Sequence, residues 1–178
     1  MLYSDYQEML NELKGWKPSI RNLFEGTAFA AASINFGPQT VSIPHLDFGN
    51  LAWGLCAVTA LGNYNPDLGG HIVLEELKLV IRFPPGCTIF LPSALVTHAN
   101  TPISDRETRY SFAQYSSAGL FRWVHNGFVT EKKMKSKLNK VQRQDLDAKE
   151  VDERSVRFLR GLDRLSKLSD FKSPIHQV

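Results

Sequence analysis

The sequence predicts a mainly antiparallel β-sandwich or jelly roll with helices at both ends. Three observations support this fold class. Short apolar runs separated by Gly, Pro and Asn turns extend from about residue 27 to residue 115, a pattern typical of a β-rich domain. Before and after this stretch, apolar residues recur at helical spacing. The chain has 178 residues, which is enough for one domain with a substantial core.

Residues 1–26 are predicted to be helical. Four apolar residues recur there at helical spacing: Met9, Leu10, Leu13 and Trp16. Pro18 ends this helix because proline removes a backbone donor and clashes with the preceding turn. A second short helix is predicted through Ile20, Leu23 and Phe24.

The central stretch contains enough turn signals for seven or eight strands. The turn signals are Gly37-Pro38, Gly49-Asn50, the segment 63–70, Pro84-Pro85-Gly86 and Thr101-Pro102. This number of short strands at this spacing is typical of an antiparallel sandwich or jelly roll.

Residues 129–178 are predicted to form a helical extension of the same domain, so that one domain comprises residues 1–178. A polar and basic helix is expected over residues 131–150. A second helix would follow with an apolar stripe: Phe158, Leu159, Leu162, Leu165 and Leu168. The last segment, residues 173–178, is expected to be loose.

Composition excludes some classes of protein. The net charge of +3 and the sequence pI near 8.9 permit nucleic-acid binding without arguing for it. The basic residues from Lys132 to Arg143 either contact phosphates or form a solvated helix face. Cys56 and Cys87 are expected to be buried free thiols, not a disulfide framework or a zinc site. No apolar run approaches the ~18 residues of a membrane span, and the N-terminus does not resemble a signal peptide, so an intracellular location is expected.

The strongest chemical signal is the tripeptide His45-Leu46-Asp47. On an extended segment the side chains of residues i and i+2 point the same way, so the imidazole and the carboxylate converge. His98 ends another strand-like run. Two histidines and one carboxylate on one face form the facial triad of non-haem Fe(II) oxygenases. Taken alone, such a tripeptide is more often a surface His beside a loop Asp.

A second motif, Arg109-Tyr110-Ser111, begins 11 residues after His98 on another β-like run. Arg109 and Ser111 face the same way, and Ala113 continues that face. A buried guanidinium offers a fixed fork of donors to a carboxylate, and the serine hydroxyl adds one more hydrogen bond. Taken alone, a strand Arg such as Arg109 more often belongs to a surface ion pair.

Together these motifs resemble those of the 2-oxoglutarate/Fe(II) dioxygenase superfamily. Residues 27–128 further resemble the core of the TET/JBP-like oxygenases that occur in large numbers in mushroom-forming fungi. The resemblance depends on four pieces of sequence: the H-x-D-x-x-N motif of His45, Asp47 and Asn50, the Gly69-Gly70 turn, the Pro84-Pro85-Gly86 turn, and the R-Y-S-F-x-Q-Y strand from Arg109 to Tyr115.

The resemblance implies a double-stranded β-helix (jelly roll) core with assigned roles for its site residues. Fe(II) would be held by the triad His45, Asp47 and His98. Arg109 would bind the C5 carboxylate of the co-substrate 2-oxoglutarate, with Ser111 as a helper. Two further roles remain open, because Asn35 is either a 2-oxoglutarate contact or a turn residue, and Asn50 is either a support for the ligands or a plain turn residue.

The resemblance also implies a reaction. O₂ and 2-oxoglutarate would be consumed to oxidise a methyl group of a nucleobase, with 5-methylcytosine in DNA as the expected substrate and the nucleus as the expected location. Four aromatic residues either stack on a base near the mouth of the site or belong to the core: Phe48, Trp53, Tyr64 and Trp123.

Two alternatives remain. One is a dioxygenase acting on a protein or a small molecule, although prolyl hydroxylases and JmjC proteins typically use Lys where this chain has Arg109. The other is a catalytically silent β-helix module that binds a partner. The oligomeric state stays open.

Overall fold

A computed structural model describes residues 2–164, 166 and 167. The elements, in chain order, are α1 (Leu2–Trp16), β1 (Ala31–Asn35), β2 (Cys56–Asn63), β3 (Ile72–Leu74), β4 (Leu79–Ile81), β5 (Thr88–Leu91), β6 (His98–Asn100), β7 (Thr108–Tyr115), α2 (Ala118–His125), α3 (Glu131–Ser136) and α4 (Lys140–Leu162).

The strands form two antiparallel sheets. The major sheet has the order β1-β7-β2-β5, and the minor sheet has the order β4-β3-β6. His45 extends the minor sheet by an isolated antiparallel bridge to His98 on β6. The chain therefore passes repeatedly between two facing sheets, and the predicted mainly β jelly-roll core with helices at both ends is confirmed.

Apolar side chains fill one end of the space between the sheets. Five buried residues from both sheets and their loops form this core: Ala60, Tyr64, Ile72, Leu74 and Phe83. Alternation along the strands sends every second side chain inward. Polar inward-facing side chains on β1 and β7 leave the other end of this space free for a polar cavity.

The N-terminal helix forms as predicted. Its buried face consists of Tyr6, Met9, Leu10 and Leu13, each of which stabilises the fold by about 1.5–3 kcal/mol through burial. The prediction of a second short helix was wrong, because the chain makes turns and bends from residue 18 to residue 26. Instead of lying on a helix face, the Phe24 ring packs edge-on against Phe112 of β7.

The C-terminal part is helical, as predicted, but it divides differently. A break at residues 137–139 separates α3 from α4, because the Asn139 side chain accepts from the Gln142 backbone N–H and starts a new helix with a capping box. Leu159 of the predicted apolar stripe is exposed. Leu165, Leu168, the segment 173–178 and the side chains of Phe158 and Leu162 lie outside the described residues.

Both cysteines are free thiols, Cys56 buried and Cys87 exposed. The expectation that both are buried was therefore wrong for Cys87, which follows directly on the Pro84-Pro85-Gly86 turn. In the described part of the chain, no helix combines the length and hydrophobicity that a membrane crossing requires.

Candidate metal and anion site

A cavity of about 430 Å³ opens between the two sheets. Its wall on the major sheet comes from inward-facing side chains of β1, β2, β5 and β7, and β3 and β6 of the minor sheet form the opposite wall. All six side chains predicted for the site line this cavity: Asn35, His45, Asp47, His98, Arg109 and Ser111. The structure therefore brings together residues that lie up to 76 positions apart in the sequence.

The three expected metal ligands form one cluster. One ligand atom from each of His45, Asp47 and His98 lies within 4.8 Å of the other two. The Nε2 atom of His45 is 3.7 Å from Oδ1 of Asp47, and Nε2 of His98 is 3.9 Å from Oδ2. The local fold causes this proximity, because His45 and His98 exchange both of their backbone hydrogen bonds at 3.0 and 3.1 Å.

Backbone carbonyls orient both imidazole rings. Nδ1 of His45 lies 2.8 Å from the Ile43 carbonyl oxygen, and Nδ1 of His98 lies 3.0 Å from that of Val96. A carbonyl only accepts, so in the neutral ring Nδ1 carries the proton and donates it. The lone pair then lies on Nε2, the atom that faces Asp47 in both residues.

The donor set fits a metal ion. Nitrogen and oxygen ligands lie about 2.0–2.2 Å from small divalent ions, so two donors of one ion lie at most about 4.4 Å apart. The distance of 3.7 Å from Nε2 of His45 to Oδ1 of Asp47 falls inside that limit. Both Nε2–carboxylate distances, 3.7 and 3.9 Å, are too long for hydrogen bonds. The side chains of His45 and Asp47 are 41% and 36% exposed, whereas that of His98 is 11% exposed. The cluster is therefore accessible from one side.

Arg109 lies at the inner end of the cavity and is 2% exposed. Its Nη1 donates to the Thr40 carbonyl at 3.1 Å, while its buried Nε has no hydrogen-bond partner. Burial lowers the pKa of this guanidinium, and the only side chain whose electrostatic contact opposes that shift is the phenol of Tyr64. Among the described ion pairs, none includes Arg109. A buried cation without a counter-ion is costly, and an anion bound in the cavity would supply the missing partner.

Ser111 and Asn35 form the wall next to Arg109. They lie opposite each other on β7 and β1, and the Asn35 side-chain amide donates to the Ser111 hydroxyl oxygen at 2.8 Å. The Ser111 hydroxyl proton is then free to donate to a ligand. These contacts favour the interpretation of Asn35 as a cavity residue over a plain turn residue.

The sequence analysis missed the cavity residues Cys56, Asn100 and Tyr115, and it missed Ser93, which contacts the cavity residue Asn50. Tyr115 continues the face of Arg109, Ser111 and Ala113 along β7, so extension of the alternation would have found it. Asn100 continues the face of His98 in the same way. Ser93 contacts the site through Asn50, the Asp47 backbone and the Cys56 side chain, and no local pattern indicates this.

The four aromatic candidates separate into two groups. Tyr64 belongs to the apolar core, and Trp53 and Trp123 pack against helix residues. Phe48 is 83% exposed, directly after the ligand candidate Asp47.

The sequence matches no protein-family model and no curated protein. Among solved structures, the fold is similar to NgTET1 in complex with 5mC DNA, with a TM-score of 0.46 and 14% identity over 60% of this chain and 42% of that one. It is also similar to the viral collagen prolyl hydroxylase vCPH from Paramecium Bursaria Chlorella virus-1 in complex with 2OG. That match has a TM-score of 0.34 and 16% identity over 61% of this chain and 67% of that one. The chain thus spans less than half the length of the NgTET1 chain.

Proposed function

We propose that this chain is an Fe(II)- and 2-oxoglutarate-dependent dioxygenase. One observation carries the proposal: a buried guanidinium without a carboxylate partner shares a cavity with a His-Asp-His cluster. A ligand with a carboxylate at one end and a metal-chelating group at the other would satisfy both features. 2-Oxoglutarate is such a molecule.

In this proposal each cavity side chain has a defined task. His45, Asp47 and His98 would hold Fe(II) through three positions and leave others for a chelating 2-oxo acid and O₂. Arg109 would pair with the distal carboxylate, using the Nε–H that has no partner. When bound, iron and 2-oxoglutarate supply the activation of O₂ that oxidises a C–H bond, and 2-oxoglutarate leaves as succinate and CO₂.

The proposed substrate is a methylated nucleobase, with 5-methylcytosine in DNA as the first candidate. Two features of the open side support it. Tyr115 lines the cavity on β7, six residues beyond Arg109, and Phe48 is exposed beside Asp47. An aromatic ring that stacks on a base typically contributes about 1–3 kcal/mol, and a flipped base would reach the metal from this side. A nuclear location belongs to the same proposal.

A second candidate is the oxidation of a protein or a small molecule. The observation that favours it is the weak positive field of the C-terminal helices. Lys135 pairs with Asp147 at 2.9 Å, and Arg122 pairs with Glu131 at 2.9 Å, so part of the basic surface is neutralised and attracts a polyanion less strongly.

The test is an anaerobic reconstitution with Fe(II) and 2-oxoglutarate, followed by exposure to air with a 5-methylcytosine oligonucleotide. Mass spectrometry measures both the nucleosides and succinate. Asp47→Ala removes a metal ligand, and Asp105→Ala is the matched control because it removes an exposed carboxylate from the turn before β7.

Oxidised methylcytosine from the wild type and Asp105→Ala, but not from Asp47→Ala, would support the complete proposal. Succinate formation that depends on Asp47 without base oxidation would support the dioxygenase and overturn the DNA substrate. Absence of any Asp47-dependent succinate formation, in protein that is folded, would overturn the dioxygenase and favour a silent binding module.

A further inference from the structure

The carboxamide of Asn50 makes two contacts beside the metal cluster. Its Nδ2 donates to Oδ2 of Asp47 at 3.2 Å and to Oγ of Ser93 at 3.0 Å. A carboxamide nitrogen carries two protons, so both hydrogen bonds can exist at the same time. Ser93 therefore fixes the amide end of Asn50, and Asn50 in turn holds the carboxylate of Asp47.

Ser93 is well suited to fix Asn50. It is 2% exposed, and it follows β5 directly, with its backbone N–H donating to the Leu91 carbonyl at 2.9 Å. The Ser93 carbonyl also accepts from the Asp47 backbone N–H at 2.9 Å. One buried serine thus holds Asp47 twice, once through the backbone and once through the side chain of Asn50.

The backbone around Asn50 is also anchored. Asn50 forms an isolated bridge with Ser117, and the neighbouring Leu51 N–H donates to the Ser116 carbonyl at 3.1 Å. The Asn50 N–H donates to the Asp47 carbonyl at 2.9 Å and closes the turn. Because both ends of this turn are held, the direction of the Asn50 side chain is set by the fold and not by the ligand.

These contacts connect the two sheets at the metal cluster. The two histidines belong to the minor-sheet side, through their mutual backbone bridge. Asp47 is instead tied to the end of β5, a major-sheet strand, through Ser93. The geometry of the three donors therefore depends on the Asn50–Ser93 pair as well as on the His45–His98 bridge.

The geometry points to Asn50 and Ser93 as positioning residues that occupy Oδ2 of Asp47 and present Oδ1 as its single ligand oxygen. This inference rests on the proposed metal site. A carboxylate with both oxygens free can chelate an ion and take an additional coordination position. A carboxylate that accepts a hydrogen bond on one oxygen leaves that position for the 2-oxo acid or O₂.

Cobalt(II) titration of the metal-free protein under anaerobic conditions tests the inference without any turnover. The variants are Asn50→Ala, Ser93→Ala and the double variant. Asp47→Ala serves as the ligand-loss control, and Ser33→Ala serves as the matched control, since Ser33 lines the same cavity without a described contact to Asp47. Thermal unfolding of each metal-free protein is measured in parallel.

We expect Asn50→Ala to weaken cobalt binding about 10–100-fold, as loss of a hydrogen bond to a ligand typically does. Its visible cobalt absorption should also change in shape, because the freed carboxylate alters the coordination. Ser93→Ala should have a smaller effect, and the double variant should be no weaker than Asn50→Ala, because Ser93 acts on the side chain of Asp47 only through Asn50. Ser33→Ala should bind as the wild type does.

The possible failures are distinguishable. If the wild type binds no cobalt, or Asp47→Ala binds it equally well, the proposed metal site is wrong. If Asp47→Ala abolishes binding but Asn50→Ala keeps wild-type affinity and spectrum, only the positioning role is overturned. Additive effects of the two substitutions, or losses of affinity that follow the losses of thermal stability, would also overturn it, since either result indicates a general structural role.

Discussion

Replacement of Arg109 by Met should weaken 2-oxoglutarate binding at least about 30-fold and, at the same time, stabilise the ligand-free protein. In the structure this guanidinium is 2% exposed. Its Nη1 donates to the Thr40 carbonyl at 3.1 Å, and the Tyr64 phenol is a second polar partner. The Nε atom is buried without a partner. In the ligand-free protein the desolvated charge of Arg109 therefore lowers the free energy of unfolding, and a bound anion would compensate for this loss.

The two expected effects have opposite signs. Removal of one member of a buried, hydrogen-bonded charge pair costs about 2–5 kcal/mol of binding, which is about 30-fold to several thousand-fold in Kd. For folding, Met avoids a desolvation cost of several kcal/mol and loses one hydrogen bond worth about 1 kcal/mol. A net stabilisation on the order of 1–3 kcal/mol corresponds to about 2–4 °C in Tm for each kcal/mol.

Isothermal titration with 2-oxoglutarate in the presence of Mn(II), and calorimetric unfolding of the metal-free protein, measure the two effects. Arg106→Met is the matched control, because Arg106 is exposed in the turn before the same strand. Arg109→Lys keeps the charge but loses the planar fork and should bind 2-oxoglutarate with intermediate affinity. Binding of 2-oxoglutarate by Arg109→Met within a few-fold of wild type would refute the anchor role, and a lower Tm would show that Arg109 serves the fold instead.

Three other predictions concern the fold and the substrate side. Burial raises the pKa of Tyr6 from 10.0 to about 12, so the phenol loses its proton at a lower pH in the unfolded chain than in the folded protein. This difference stabilises the folded protein by an amount on the order of 2–3 kcal/mol below pH 10, and the stabilisation is lost as the pH rises toward 12. Tyr6→Phe should be less stable near neutral pH, because the Leu55 carbonyl and N–H lose their hydroxyl partner. Urea unfolding at a series of pH values should show a smaller alkaline loss for Tyr6→Phe than for the wild type, and an equal loss would contradict this reasoning. Gly161→Ala should lower Tm, because the added Cβ would lie 2.5 Å from Trp53. The control Gly15→Ala, whose Cβ would meet nothing within 4 Å, should increase the free energy of unfolding by about 0.5–1 kcal/mol through helix propensity. Equal effects at the two glycines would mean that α4 does not pack on Trp53. If the proposed nucleobase substrate is right, Tyr115→Ala should weaken DNA binding by about 1–3 kcal/mol, whereas Tyr115→Phe should keep the wild-type affinity. Fluorescence anisotropy measures both affinities, and equal binding by the two variants would exclude stacking on Tyr115.

The part of the site that could be predicted from the sequence is the part that local alternation determines. His45 and Asp47, like Arg109 and Ser111, are two residues apart on extended chain, so their common direction follows from backbone geometry. The same rule, carried two residues further, would have identified Tyr115. The contacts of Ser93 were not predictable, because it approaches Asp47 and Asn50 from the turn after β5, 43 positions away from Asn50 in the sequence.

The errors in the predicted fold also arise where contacts between distant parts of the chain, or a single residue, override the local sequence pattern. Apolar spacing predicted a helix through Phe24, but that ring is used for a contact with Phe112 across the sheet, and tertiary packing overrides local propensity in such short segments. In the C-terminal region the composition predicted helices, yet their division depends on one capping residue, Asn139. Cys87 is exposed because its position in a turn decides its burial more than its residue type does.

The separation between the two ends of the cavity is set by a single strand. Arg109 and Tyr115 both lie on β7, six residues apart, which is about 20 Å along an extended chain. This strand is paired on both sides, with β1 and β2, so neither end can shift without the loss of ladder hydrogen bonds. The metal cluster faces it from the minor-sheet side, with His98 covered and with His45 and Asp47 partly open to solvent. Under the proposed function, the turn that carries the exposed Phe48 and Asn50 borders the open side of the cluster, so we expect substitutions in this turn to alter substrate choice more than substitutions within the sheets do.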